Sequence, residues 1–377
     1  MKHKNKKMLK FNLPLKQVFL IMFLLVIVIF SGITCFNMFL AERNYREAFY
    51  ASTRSLKIPR YFDRYVYALE YYDEAAELFP FEMHYNVMQG RDIEKFINRI
   101  KDPNKKIELT QKAIRLYEDI QHIDDINPWY FSRLSMLYTR LGILSREYAP
   151  DQAKEYYQKA FLNAHKAAQI DFENPIFLSN YGNLLVQSRK FTEALYYFKK
   201  SVHIDDRLFD IHFQLGKLYS SLGYFDLATD HFLTTKEYVF KNLERNTRLT
   251  QKAQAYKNIN NYILKALIQD KKFDKAVMYF EQHLSDKYND HDIYSLGGYI
   301  YHLTNQYRES YNYFDFYYQT GENPIYISIY VQTMKGLVQA NVLDANQVIP
   351  KIEQLLLIPN LSDKLITYLN QSLDSFK

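Results

Sequence analysis

One stretch near the middle of the chain repeats itself, and that limits the fold more than any other feature. From Asn174 to roughly His231, Gly182 returns as Gly216, Phe191 as Phe225, Ala194 as Ala228 and, at the edge of the stretch, Phe198 as Phe232, each 34 residues later. A self-match at a fixed period means one small unit built again and again, each burying its apolar face only against its neighbours. Phe191, Ala194 and Phe198 are three and then four residues apart, which places them on one face of a helix. The small residue between two large ones lets an adjacent helix approach closely. With ten glycines and ten prolines in 377 residues and no evident strand pattern, the expected class is all-α.

The same aromatic–small–large signature occurs elsewhere in the chain. It reads Tyr65, Ala68, Tyr72, completed by Ala75 and Pro80; then weakly Ala113 and Tyr117, where Thr110 stands in place of the aromatic; then Tyr157, Ala160, Ala164. After the two central copies come Phe273, Ala276, Phe280 and, with serine for alanine, Tyr307, Ser310, Phe314. Successive small residues are separated by 45, 47, 34, 34, 48 and 34 positions. The period and the signature resemble the tetratricopeptide (TPR) repeat family, whose unit is two antiparallel helices. The resemblance implies a TPR-type α-solenoid of about six to seven helix pairs, with longer helices or loops in the longer gaps, near Glu147 and from Lys236 to Gln251. Asn127-Pro128, Asn174-Pro175 and Asn323-Pro324 read as helix starts, with asparagine as the cap and proline in the first turn. Gly142 and Gly223 read as turns.

From Val18 to Leu40 the chain is continuously apolar, with no charge between Lys16 and Glu42. A helix of that length reaches about 35 Å, enough to cross a hydrocarbon layer of about 30 Å, so one transmembrane helix is expected before the repeats. An uncleaved signal anchor fits best, because the small residues that would mark a cleavage site are poorly placed; cleavage, or lipidation of Cys35, stays open. The formal net charge of +6 is matched by Lys2, Lys4, Lys6, Lys7, Lys10 and Lys16, and the rest of the chain carries 42 basic and 42 acidic residues. A nucleic-acid partner is therefore not expected. The lysines before the span, against Arg43, Arg46 and Arg54 after it, predict a cytoplasmic amino terminus and an extracytoplasmic TPR body, on the periplasmic side of a bacterial inner membrane. Cys35 is the single cysteine, so the chain forms no internal disulfide and no cysteine metal cluster.

The expected layout is a basic cytoplasmic tail over 1–17, a transmembrane signal anchor over 18–40, a helical linker over 41–60, the TPR solenoid over 61–322 and carboxy-terminal capping helices over 323–377. Three such helices are read from IYISIYVQTMKGLVQA, NQVIPKIEQLLLI and SDKLITYLNQSLDSF. The segment NYREAFY, at Asn44 to Tyr50, also suits the first helix of the first unit.

The motifs of common chemistries are missing from the sequence. There is no HExxH, no GxxxxGK[ST], no GxSxG and no GxGxxG. HIDD occurs at His122 to Asp125 and at His203 to Asp206, in both cases where a second helix ends, and reads as a solvent-side turn rather than a catalytic pair. The expectation is a non-enzyme with no cofactor, no metal and no catalytic residues.

In TPR proteins the first helices line the concave surface along which partner peptides lie. Stepping three or four residues along each first helix selects Trp129, Ser132 and Met136; Ile176, Ser179 and Asn183; Asp210, Phe213 and Lys217; Asn261 and Lys265; Ser295 and Tyr299. Trp129, Asn183, Phe213, Lys217, Asn261, Lys265 and Tyr299 form the expected partner-binding set; the other reading is that Trp129 and Phe213 pack between repeats and the lysines are ordinary solvated surface. The paired-carboxylate clamp of some relatives is incomplete here, since Asp210 and Gln214 occupy its places. The resulting expectation is a membrane-anchored scaffold or adaptor that binds protein or peptide partners at the bacterial envelope. The alternative, an accessory in envelope polysaccharide assembly, rests on ALEYYDEAAELFPF at Ala68 to Phe81, which is similar to repeat tails of O-antigen ligase-like and polymerase-like membrane proteins.

Overall fold

The computed structural model describes residues 15–53, 61–241, 256, 258–286, 289–320 and 324–376. Lys2 through Lys10, Arg54, Pro59, Asn323 and the insertion beyond Lys241 lie outside the described residues. Among the described residues there are seventeen helices and no strand. In chain order they are α1 Leu15–Thr53, α2 Tyr61–Leu78, α3 Met83–Ile97, α4 Pro103–Gln121, α5 Pro128–Ser145, α6 Pro150–Ile170, α7 Pro175–Gln187, α8 Phe191–Ile204 and α9 Phe209–Ser221. They continue as α10 Phe225–Lys241, α11 Ile259–Gln269, α12 Phe273–His283, α13 Asp292–Leu303, α14 Tyr307–Thr320, α15 Ile327–Gln339, α16 Ala345–Leu356 and α17 Asp363–Asp374. The helices fall into two compact units, one up to Phe172 and one from Glu173 onward.

Local chemistry sets the helix ends. Asn127 and Asn174 each accept a hydrogen bond from the backbone N–H two residues on, at 3.1 Å, with proline in the first turn as expected. Asp102 caps α4 in the same way, and Asp344 with Gln347 forms a reciprocal capping box on α16. The expected start at Asn323-Pro324 is not where the next helix begins; α15 starts at Ile327. Between first and second helices the chain reverses through one left-handed residue: Arg189, Gly223, Lys271 and Asn305 have φ of 58°, 83°, 59° and 61°. Three of these positions carry a Cβ and accept the modest cost of that conformation.

Among the described residues seven helix pairs form, and in each second helix of these the expected small residue faces inward. Ala68, Ala113, Ala160, Ala194, Ala228, Ala276 and Ser310 all have zero exposure. Opposite them, glycines on the first helices receive aromatic rings. A Cβ on Gly182 would lie 2.7 Å from the Phe198 ring, one on Gly216 2.6 Å from Phe232, and one on Gly298 2.7 Å from Phe314. Gly142 belongs to this set and is not a turn: it sits inside α5, where a Cβ would lie 2.8 Å from the Tyr157 ring. Its lack of a side chain serves close approach and not a change of direction.

In the first unit the pairs are the carboxy-terminal part of α1 with α2, α3 with α4, and α5 with α6. The end of α1 thus supplies a first helix: Ala48 and Ala51 are buried with Ala68 and Tyr72, and Ala41 with Ala75 and Tyr85. The longer gaps go largely into longer helices here, since α4, α5 and α6 have 19, 18 and 21 residues against 13 and 14 in α7 and α8. In the second unit α7 to α14 form four pairs. Val331, Met334, Val348, Ile352 and Leu369 of the three terminal helices join Phe314 and Tyr317 in one core.

The abundant tyrosine does more than fill space. Buried phenols donate across helix pairs to carboxylates: Tyr72 to Asp92 at 2.9 Å, Tyr117 to Glu94 at 2.8 Å, Tyr301 to Glu281 at 2.7 Å and Tyr330 to Asp315 at 2.8 Å. Tyr138 donates to Glu118 in the same way. Each bond satisfies a hydroxyl that burial would otherwise leave unpaired.

Candidate partner-binding faces

In the first unit α1, α3 and α5 lie side by side as first helices. The Tyr45 hydroxyl is 2.9 Å from His84 Nε2 between α1 and α3; Arg133 pairs with Glu94 at 2.9 Å, and Arg140 donates to the Asn98 side chain at 2.9 Å, between α5 and α3. The outward stripe of α5 runs Trp129, Arg133, Met136, Arg140, Ile143, alternating by four and three. Trp129 is 45%, Met136 49% and Ile143 59% exposed. Ser132, which a step of three had placed on this stripe, is buried.

Beside that stripe is a cavity of about 350 Å³ lined by Ile97, Asn98, Lys106, Met136, Thr139, Arg140, Ile143 and Leu144. It has two cationic side chains and no carboxylate in its wall. The guanidinium of Arg140 spends one nitrogen on Asn98, while Nη1 is buried with no hydrogen-bond partner among the described residues. Glu94, which binds Arg133 and Tyr117, acts on Arg140 from outside that wall, while burial pulls the Arg140 guanidinium below its ordinary value. The face therefore combines exposed apolar side chains with two cations that share the cavity wall with no carboxylate.

In the second unit the outward stripe of α7 is Ile176, Asn180, Asn183 and Gln187, and Ser179 is buried, donating to the Ile176 carbonyl at 2.9 Å. Asn183 is half-buried on that stripe. On α9, Phe213 packs among rings: Phe232, Tyr256 and Tyr262 lie at 5.7, 5.0 and 5.1 Å. Lys217 is outward-facing, with its ammonium 5.2 Å from the Phe213 ring centre. Asp210 takes a hydrogen bond from the Tyr256 hydroxyl.

On α11 the expected register is partly shifted. Asn261 is buried, not on the groove, with its amide donated to Asp290 at 2.6 Å; Tyr262 and Lys265 occupy the outward positions. The step of four from Asn261 to Lys265 enters the helix one residue early, and Tyr262, three before Lys265, is the outward side chain. Tyr299 is half-buried and stacked on Tyr326 with ring centres 4.6 Å apart, and Ser295 is buried, bonded to the Asp292 carbonyl. Sequence reasoning missed Arg133 and Arg140; their seven-residue spacing on one face of α5 was the available signal.

Two other polar groupings stand apart from these faces. Lys236 Nζ lies 3.1 Å from the Tyr279 hydroxyl, 3.0 Å from His283 Nδ1 and 3.0 Å from Asp286; Asn260 bonds Asp286 and Asn289. The mutual bonding ties α10 and α11 to the loop after α12, a structural use that accounts for each of these contacts. His212 and His231 face each other Nδ1 to Nδ1 at 2.9 Å. Burial, then the neighbouring His212 and Lys199, pull His231 down to about 4, and burial also lowers His212. His231 stacks on Tyr219 at the side of a cavity of about 860 Å³, whose wall includes Tyr196, Lys199, Lys200 and His203. The two HIDD segments lie where α4 and α8 end, with His122, Asp125, His203 and Asp206 exposed. No group of three or more His, Cys, Asp or Glu suited to a metal ion occurs among the described residues.

No protein-family model and no curated protein matches this chain. Solved structures do. The C-terminal part of a TPR repeat-containing protein from Cytophaga hutchinsonii is 14% identical with a TM-score of 0.48, covering 78% of this chain and 99% of that one. A tetratricopeptide repeat protein from Parabacteroides merdae is 15% identical with a TM-score of 0.45, covering 78% and 98%. A thermophilic TPR protein from Thermus thermophilus is 17% identical with a TM-score of 0.39, covering 56% and 97%. The chain's own recurrent pairing of glycine with aromatic ring, and of helix with helix, is what makes its fold TPR-type.

Proposed function

We propose that this chain is a membrane-tethered adaptor whose face on α3 and α5, edged by Lys106 of α4, binds an acidic protein segment bearing apolar side chains. The observation that carries the reading is the cavity beside Met136 and Ile143, with Lys106 and Arg140 in its wall and no carboxylate there. Charge-assisted hydrogen bonds from a guanidinium to a carboxylate are strong and directional, and exposed apolar side chains nearby supply the burial that a peptide needs. Asn183, Lys217, Lys265 and Tyr299 are proposed as further contacts on the second unit, with Phe213 supporting Lys217 from below.

The tether is α1. It is the one described helix long and apolar enough to cross a membrane, and none of its apolar window is buried in the structure. A signal sequence passes the same test of length and composition. The charge placement, with Lys16 and the lysines before it ahead of the span, supports a cytoplasmic amino terminus and a helical body on the far side.

Charge reversal tests the binding face. The chain carrying Lys106→Glu and Arg140→Glu, purified from its native membrane, should lose the proteins that co-purify with the unaltered chain, while retaining its helix content. Undiminished recovery of the same proteins would refute the assignment of this face.

A further inference from the structure

We propose that the turn Phe79-Pro80-Phe81, between α2 and α3, rests on the lipid surface beside the point where α1 leaves the membrane. The inference builds on the reading of α1 as a span.

The geometry comes from the antiparallel register of α1 and α2. Ala48 and Ala51 are buried with Ala68 and Tyr72, Asn44 donates to Glu74 at 3.0 Å, and Ala41 shares a cluster with Ala75 and Tyr85. Each step toward the membrane on α1 is thus a step toward the end of α2. Leu78 and Phe79 pack against that last cluster, so the turn that follows them lies on the membrane side of Ala41. Three or four residues at a rise of 1.5 Å place it about 5 Å past Ala41, level with Phe36 to Phe39 of the apolar run. Leu40 is the last residue of that run and Glu42 the first charge.

The side chains at that level suit lipid. Phe81 is 84% exposed, with its ring 6.0 Å from that of Phe79, and Phe36, Met38 and Phe39 on α1 are also exposed. Aromatic rings favour the boundary between headgroups and acyl chains. Charge sets the depth: Glu77 is exposed, and Glu82, which follows Phe81, caps α3 by accepting from the His84 N–H at 3.1 Å. Carboxylates held that near the turn keep it in the interfacial layer and out of the hydrocarbon. Because α1 runs unbroken from Leu15 to Thr53, the turn would give the first helix pairs a second point of contact with the bilayer, fixing their tilt on the span.

Fluorescence quenching by brominated phosphatidylcholine tests this with the full chain in vesicles. Three single-tryptophan forms are compared: the native chain with Trp129, and Trp129→Phe chains carrying Phe81→Trp or Ile29→Trp. Phe81→Trp places a large ring at an open position and leaves the core untouched. The proposal expects emission to fall with the brominated fraction for Ile29→Trp and for Phe81→Trp, and to hold for Trp129. Quenching of Ile29→Trp without quenching of Phe81→Trp overturns the proposal and leaves the span standing. Loss of quenching at both positions refutes the span as well. Shielding of Phe81→Trp that follows protein density and not lipid bromine assigns the turn to a second copy of the chain, and also overturns the proposal.

Discussion

Replacing Gly216 and Gly336 with alanine should shift stability in opposite directions, although both glycines lie inside helices, α9 and α15. Removing a glycine from a helix interior is worth about 1 kcal/mol in backbone entropy and propensity. At Gly336 a Cβ meets nothing within 4 Å, so Gly336→Ala should stabilise by roughly that amount. At Gly216 the Cβ would stand 2.6 Å from two atoms of the Phe232 ring, whereas carbon atoms pack well near 3.5–4.0 Å. Phe232 is 1% exposed and cannot swing into solvent, so the two helices must part by about 1 Å. Overpacking of that kind costs about 1–3 kcal/mol, more than the entropy gain returns. Gly216→Ala should therefore destabilise by about 1 kcal/mol net, and Phe232→Leu in the same chain should recover part of it by shrinking the ring. Hydrogen exchange on the detergent-solubilised chain reads this locally, as faster exchange of α9 and α10 amides. A Gly216→Ala chain that is stabilised as much as Gly336→Ala would refute the glycine–aromatic packing on which the helix pairs depend.

Two further perturbations follow from the polar interior. His231 has its pKa depressed to about 4 from an ordinary 6.5, so the folded form resists protonation that the unfolded form accepts. Its contribution is intact above pH 6.5 and is lost as pH falls toward 4; urea unfolding at pH 7 and pH 5 should show that drop, reduced in His231→Phe. Tyr117→Phe, which strips Glu94 of a buried donor, should cost about 1–3 kcal/mol in the same measurement, while Tyr224→Phe at an exposed ring should be nearly neutral.

The second helices were legible in the sequence because one face must be apolar and one position must be small. Those demands act within a single helix, so spacing alone exposes Ala113 in spite of Thr110, and Ser310 in spite of its hydroxyl. Thr110 settles its hydroxyl on the Lys106 carbonyl and Ser310 on that of Gly298, which is why polar residues serve at these buried places. The first helices were harder to read. Their outward stripe depends on where the helix is entered: a step of three where four was needed put Ser132 and Ser179 in place of Arg133 and Asn180, and a step of four where three was needed put Asn261 in place of Tyr262. Gly142 misled for a related reason, since tight turns and close helix contacts both select glycine. The tyrosine–carboxylate bonds join residues on different helices, and no local pattern announces them.

Site-specific photo-crosslinking in the native membrane tests the adaptor reading most directly. A benzophenone amino acid replaces Met136 on the outward stripe of α5 in one chain, and Leu162, 66% exposed on α6, in another. The account predicts a discrete protein adduct from position 136, lost when Arg140→Glu is added, and none from position 162. Equal capture at both positions, or capture at 136 that ignores the charge at 140, would contradict it.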